Sequence, residues 1–152
     1  MLFVTVGTTD FDLLVQSLDE IAPQLHEEIV CQIGHGRYIP RNCLHFRFAS
    51  SLADHIARAR MVISHGGQGS IMEAVKASKP LVAVSNPDRR DHHQDDILRK
   101  FADLNHLIWC RSVDDLSTAI QQAAHTRFAP YVEPECAIHT VIHDYLTRTR
   151  GT

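Results

Sequence analysis

Short apolar runs alternate with amphipathic segments along nearly the whole chain, and that alternation narrows the fold more than any other feature. Residues 2–6 form an apolar, β-branched run that stops at Gly7, after which Phe11, Leu14, Leu18, Ile21 and Leu25 recur at helical spacing. Residues 29–33 repeat the strand pattern and close on Gly34-His35-Gly36, and residues 44–48, 61–64, 81–85 and 107–110 follow as further strand candidates. Between them, amphipathic stretches open at Ser51 with Asp54 as a capping box, run from the turn at 66–69 to about Ser78, and carry Ile97, Leu98, Phe101 and Leu104. Two more helices are expected at the end, one opened by Ser112 with Asp115 and one through Ile138, Val141, Ile142 and Tyr145. Strands read as unbroken apolar runs when helices cover both faces of a parallel sheet. The expected fold class is α/β, a doubly wound, Rossmann-like parallel sheet of six strands.

With 152 residues and no Pro/Ser-rich linker, repeat or low-complexity tract, the chain reads as a single domain over 1–152. Fifteen Lys and Arg against 18 Asp and Glu leave a formal charge of −3, whereas nucleic-acid binding usually shows as a basic excess. No nucleic-acid partner is expected. Eleven histidines mean that the surface charge reverses sign in mildly acid solution. Cys31, Cys43, Cys110 and Cys136 form no CxxC pair, which excludes a zinc ribbon or thioredoxin-type site and favours buried thiols in a reducing compartment. No window approaches the roughly 20 apolar residues of a spanning helix, and the first residues lack the basic and apolar regions of a signal peptide. The expectation is a soluble, cytoplasmic chain that reaches a membrane only through a partner.

Ligands of an open parallel sheet bind beyond the carboxyl ends of its strands, where the crossovers reverse direction. The segment Ser64-His65-Gly66-Gly67-Gln68-Gly69-Ser70 puts three glycines within four positions at such an end. Backbone without β-carbons lets a ligand approach closely, and the following helix offers unpaired N–H groups and a dipole that favours an anion. It reads either as a diphosphate cradle or as an ordinary strand-to-helix turn. The spacing is neither GxGxxG nor a P-loop, which lowers the case for NAD or ATP. Glu73 lies one turn into the helix and leans back toward the turn, where its carboxylate suits vicinal ribose hydroxyls. Ser70-x-x-Glu73 reads equally well as a capping box. Thr8 and Thr9 either cap the first helix, with Asp12 completing the box, or face the same phosphates.

Asp91-His92-His93-Gln94-Asp95-Asp96 suggests a metal cluster at first sight, but adjacent histidines diverge and no third ligand stands at helical spacing. Asp95 and Asp96 read as a solvated helix start, while His93 and Gln94 suit a polyhydroxyl ligand. His65 is a candidate general base at a strand end or a structural histidine bonded to backbone, and His93 is the second candidate.

Several of these motifs occur in order and with the spacing of a known family. Phe3-Val4-Thr5-Val6-Gly7-Thr8-Thr9-x-Phe11-Asp12 is followed by Gln32-Ile33-Gly34-x-Gly36 and by Ile63-Ser64-His65-x-Gly67-x-Gly69-Ser70-x-x-Glu73. Ser78-Lys79-Pro80-Leu81-Val82 and His92-His93-Gln94 complete the set, which spans about residues 2–110. The chain resembles the glycosyltransferase family 28 C-terminal domain, and in particular its small stand-alone members. Those include the catalytic subunit of the eukaryotic transferase that adds the second N-acetylglucosamine to dolichol-diphosphate-GlcNAc, and bacterial exopolysaccharide subunits of the PssE type. The resemblance implies the C-terminal, donor-binding lobe of a GT-B glycosyltransferase. By it, Phe48, Ala49 and Leu52 flank the uracil and Glu73 takes the ribose hydroxyls. Gly66, Gly67, Gln68, Gly69 and Ser70 hold the diphosphate with Gly7, Thr8 and Thr9, and Gln94 meets the donor sugar. Gln68 and His92 depart from the eukaryotic pattern and lean toward the bacterial branch.

A GT-B transferase needs two lobes, and this chain is long enough for one. The resemblance therefore implies a membrane-anchored partner that supplies the acceptor lobe, a UDP-sugar donor, and a lipid-diphosphate-linked saccharide acceptor at the cytoplasmic leaflet. Transfer would invert the anomeric centre without a metal or other cofactor. Two other readings stand beside it: a nucleotide-binding regulatory module without catalysis, and a UDP-sugar epimerase- or hydrolase-like enzyme.

Overall fold

The computed structural model describes residues 1–88 and 93–133 together with Tyr145. Six parallel strands form one sheet: β1 (Leu2–Thr5), β2 (Ile29–Gln32), β3 (Leu44–Phe46), β4 (Met61–Ser64), β5 (Leu81–Val84) and β6 (Ile108–Cys110). Their order in the sheet is β3-β2-β1-β4-β5-β6, so the winding reverses between β1 and β4. Among the described residues, four α-helices connect them, α1 (Asp12–Leu25), α2 (Ala53–Arg58), α3 (Gln68–Lys76) and α4 (His93–Asp103), and α5 (Leu116–His125) follows β6.

Every residue of β1, β2, β4 and β5 is buried, which is why these strands read as continuous apolar runs. Their side chains part into two cores. Leu2, Val4, Cys31, Ile63 and Val82 pack with Leu14, Leu18 and Ile120 of α1 and α5. Phe3, Val62, Leu81 and Ala83 pack on the opposite face with Ile56, Ile71, Val75 and Leu98 of α2, α3 and α4. The expected strands are all present, although five of the six are trimmed by one or two residues where the chain leaves or joins the sheet.

The expected helix caps fare differently. Ser112 does accept a hydrogen bond from the Asp114 N–H at 3.3 Å, opening a single 3-10 turn (Val113–Asp115) before α5. The other three boxes do not form. α1 starts after Phe11 with no side-chain cap, and the Thr9 hydroxyl donates instead to the Val6 carbonyl at 2.7 Å. Ser51 accepts from the Ala53 N–H at 3.2 Å, one residue short of a box. α3 begins at Gln68, which places Ser70 inside the helix and leaves Glu73 no capping role. Cys31, Cys43 and Cys110 are free and buried, and burial pushes the Cys110 thiol up to about 11. Cys136 and the expected helix through Ile138, Val141 and Ile142 lie outside the described residues. Among the described residues, no helix is long and apolar enough to cross a membrane.

Candidate functional site

Strand register lines up one row of residues at the carboxyl edge: Phe46, Gln32, Thr5, Ser64, Ala83 and Trp109. The candidate residues lie just beyond it, with Gly7 and Gly66 side by side where the winding reverses. Both leave their strands with positive φ, +64° and +81°, and so turn the chain sharply upward. His65 sits between them, 5% exposed, with Nδ1 3.3 Å from the Thr5 carbonyl. A β-carbon on Gly67 would lie 2.5 Å from His65 Nε2, and one on Gly7 would lie 3.0 Å from Cε1. The ring thus fills space that two side chains would need, as a strut under the turn.

Beside it, the Gly7 N–H donates to Thr5 Oγ1 at 3.0 Å, and that hydroxyl donates to Gln32 Oε1 at 2.6 Å. The Thr9 N–H and hydroxyl both go to the Val6 carbonyl. Of the three predicted donors after β1, only the exposed Thr8 has no hydrogen-bond partner among the described residues.

The start of α3 is different. Its first backbone bond runs from the Ile71 N–H to the Gly67 carbonyl, and the N–H groups of Gln68, Gly69 and Ser70 find no acceptor among the described residues. Nothing lies within 4 Å of where a Gly69 β-carbon would stand. Glu73 is exposed one turn along the same helix, and its carboxylate takes no hydrogen bond or ion pair among the described residues. Three unpaired donors at a helix N-terminus suit an anion, and the carboxylate suits hydroxyl donors.

On the β2–β3 side, Phe48 is 49% exposed and meets the His35 ring edge-on, with centroids 4.9 Å apart. Arg47 holds the two loops together by donating to the Gly34 and Gly36 carbonyls at 3.0 and 2.9 Å. Ala49 is exposed and Leu52 half-buried. Further out, Asp12 accepts from the Arg37 and Tyr38 N–H groups, and buried Asp19 accepts from Tyr38 Oη and from the Arg41 and Asn42 N–H groups. Burial raises the Asp19 carboxyl, but those bonds outweigh it and hold it below the usual carboxylate range.

Gln94 is half-buried in the first turn of α4. His93 opens that helix, and its side chain, like Asp91 and His92, lies outside the described residues. Asp95 is not the solvated helix-start residue that the sequence suggests: its Oδ1 accepts from Ser85 Oγ at 3.0 Å, and Ser85 Oγ accepts from Trp109 Nε1 at 2.8 Å. Sequence reasoning assigned no role to Thr5, Gln32 and His35, which lie in the quoted motifs, and passed over Asp19, Arg47, Ser85 and Trp109. Of the residues passed over, Asp19 carried a usable signal, a charge in the stripe between Val15 and Ala22 that α1 buries.

The model of the glycosyltransferase family 28 C-terminal domain matches residues 1–144. The UDP-N-acetylglucosamine transferase subunit ALG13 of Homo sapiens is 35% identical over 121 residues, covering 71% of this chain and 11% of that protein. This chain thus spans about a tenth of the length of the human and mouse relatives it matches, at 11% and 10%. The NMR solution structure of ALG13 superposes with a TM-score of 0.64 at 20% identity, over 88% of this chain and 90% of that one. The crystal structure of the glycosyltransferase of kitacinnamycin gives a TM-score of 0.66 at 19% identity, over 82% of this chain and 35% of the other. The two structures share the fold.

Proposed function

Because the chain belongs to the glycosyltransferase family 28 C-terminal domain family, we propose that it is the donor-binding subunit of an inverting UDP-sugar glycosyltransferase. The observation that carries this reading is the start of α3, where N–H groups and a glutamate without partners among the described residues stand one turn apart at the reversal of the sheet. In the proposed pose the uracil lies by Phe48, Ala49 and Leu52, and the ribose hydroxyls donate to Glu73. The diphosphate rests on Thr8 and the segment from Gly66 to Ser70, and the sugar reaches Gln94. The name of the human relative supports N-acetylglucosamine as the sugar.

In the reaction the acceptor hydroxyl oxygen bonds to the anomeric carbon as the carbon–oxygen bond to the diphosphate breaks. The charge left on UDP is met by the α3 N-terminus. The hydroxyl proton goes to a base that we assign to a second polypeptide, since His65 is packed beneath the turn. That polypeptide, membrane-anchored, supplies the acceptor lobe and presents a lipid-diphosphate-linked saccharide at the inner face of the membrane. Titration calorimetry with UDP, followed by a transfer assay with and without the co-expressed partner, tests this. The chain alone is expected to bind UDP and to transfer nothing until the partner is added. Full transfer by the chain alone overturns the two-subunit arrangement, and absence of UDP binding overturns the donor site.

A further inference from the structure

A bonded relay at the far side of the carboxyl edge plays no part in the pose above. Trp109 stands in edge strand β6, in the same row as Ala83 and Ser64. Its indole N–H donates to Ser85 Oγ at 2.8 Å, and Ser85 Oγ donates to Asp95 Oδ1 at 3.0 Å. The direction of this relay is fixed by chemistry. An indole N–H can only donate and a carboxylate only accept, so the single hydroxyl proton of Ser85 must go to Asp95. Asp95 directly follows Gln94 in the first turn of α4. Arg99, one turn further along the same helix face, lies 5.9 Å from the Trp109 ring centroid, and Arg111 lies 4.3 Å from it.

Helix α4 is already docked by apolar contacts, with Leu98 fully buried and Ile97 and Phe101 against the same core. Those contacts hold the middle of the helix. The first turn is where a helix frays, and a bond from the sheet to that turn fixes what the apolar docking leaves loose. We propose that Trp109, acting through Ser85 and Asp95, is a positioning residue for the donor sugar. It holds the first turn of α4 against the ends of β5 and β6 and so sets where the Gln94 carboxamide meets the sugar hydroxyls. This rests on the UDP-sugar reading of the site. It divides the ligand into two separately supported halves: the nucleotide over β1, β3 and β4, and the sugar over the β5–β6 corner.

The test is titration calorimetry of the full chain with UDP and with UDP-N-acetylglucosamine, for the parent and for Trp109→Phe, Ser85→Ala, Asp95→Leu and Asp95→Asn. Affinity for UDP is expected to stay within about twofold in all four. The ratio of UDP-N-acetylglucosamine affinity to UDP affinity falls by about threefold to tenfold in the first three, the effect of losing one part-buried hydrogen bond. Asp95→Asn keeps an acceptor oxygen for Ser85 and retains the parental ratio. Unchanged ratios in Trp109→Phe, Ser85→Ala and Asp95→Leu, each with parental circular dichroism, overturn the positioning role while leaving the nucleotide site standing. Failure of the parent chain to bind UDP is the separate signature that the donor reading itself is wrong, and the positioning role falls with it.

Discussion

The corner between α1 and β3 and the corner between β4 and α3 each carry a helical carboxylate, Asp19 in one and Glu73 in the other, and treat it in opposite ways. Asp19 is 3% exposed and accepts from one hydroxyl and two backbone N–H groups of the segment leading into β3. Arg47 and Asp12 close the same region on itself through further backbone groups. Glu73 is exposed and takes no bond among the described residues, and the α3 donors before it are likewise unused. Buried polar groups in folded proteins are satisfied almost without exception. A corner that answers its own polar groups is scaffold, and a corner that leaves them facing water is where, in the proposed reading, a ligand would add partners.

Asp19→Ala should have the largest effect on this contrast. It leaves the Arg41 and Asn42 N–H groups and the Tyr38 hydroxyl without their acceptor, for a loss of about 3–5 kcal/mol in urea denaturation. A loss under about 1 kcal/mol would erase the distinction between the corners. The same residue gives a pH dependence of known sign. Its folded carboxyl sits below the unfolded value, so its stabilisation is complete above the ordinary carboxylate range and fades as pH falls through the folded value. Asp19→Asn should therefore flatten the acid limb of a stability–pH curve.

Gly67→Ala comes next, at about 2 kcal/mol, because the added methyl meets the His65 ring. Pairing it with His65→Ala should recover part of that loss in a double-mutant cycle, and strict additivity would deny the contact. Glu73→Ala should weaken UDP binding about tenfold while moving stability by less than about 0.5 kcal/mol. Gly69→Ala gives the smallest shift. Its methyl enters open space inside a helix and should stabilise the fold by up to about 1 kcal/mol, yet lower UDP affinity about threefold by crowding the phosphates. Equal UDP binding by Gly69→Ala would move the ligand off the α3 turn.

Fold and site were legible to different depths. Burial on both faces of the central strands printed itself on the sequence as apolar runs, so six strands could be placed from 2–6, 29–33, 44–48, 61–64, 81–85 and 107–110 with only their ends displaced. The alternation pointed to a doubly wound sheet, whereas the order β3-β2-β1-β4-β5-β6 is visible only in the structure. Capping motifs misled because a cap depends on the angle at which the chain enters a helix. Asp12, for instance, is drawn to amide groups at Arg37 and Tyr38, which no local pattern encodes. Asp95 was misread for the same reason, since its partner belongs to the end of β5 and the next link to β6. The glycines and Glu73 stood out because the part of the proposed site around the α3 turn is assembled from residues close in sequence. What holds the surrounding scaffold is assembled across it.

One consequence of the packing around His65 concerns the routes by which this sequence can change. Gly67 has φ −66° and ψ 132°, values open to any L-residue, so the imidazole rather than the backbone keeps a side chain away. Positions 65 and 67 therefore behave as a ratchet. A lineage acquires a methyl at 67 at lower cost after the residue at 65 has shrunk, and once it has done so the return of the histidine carries that cost.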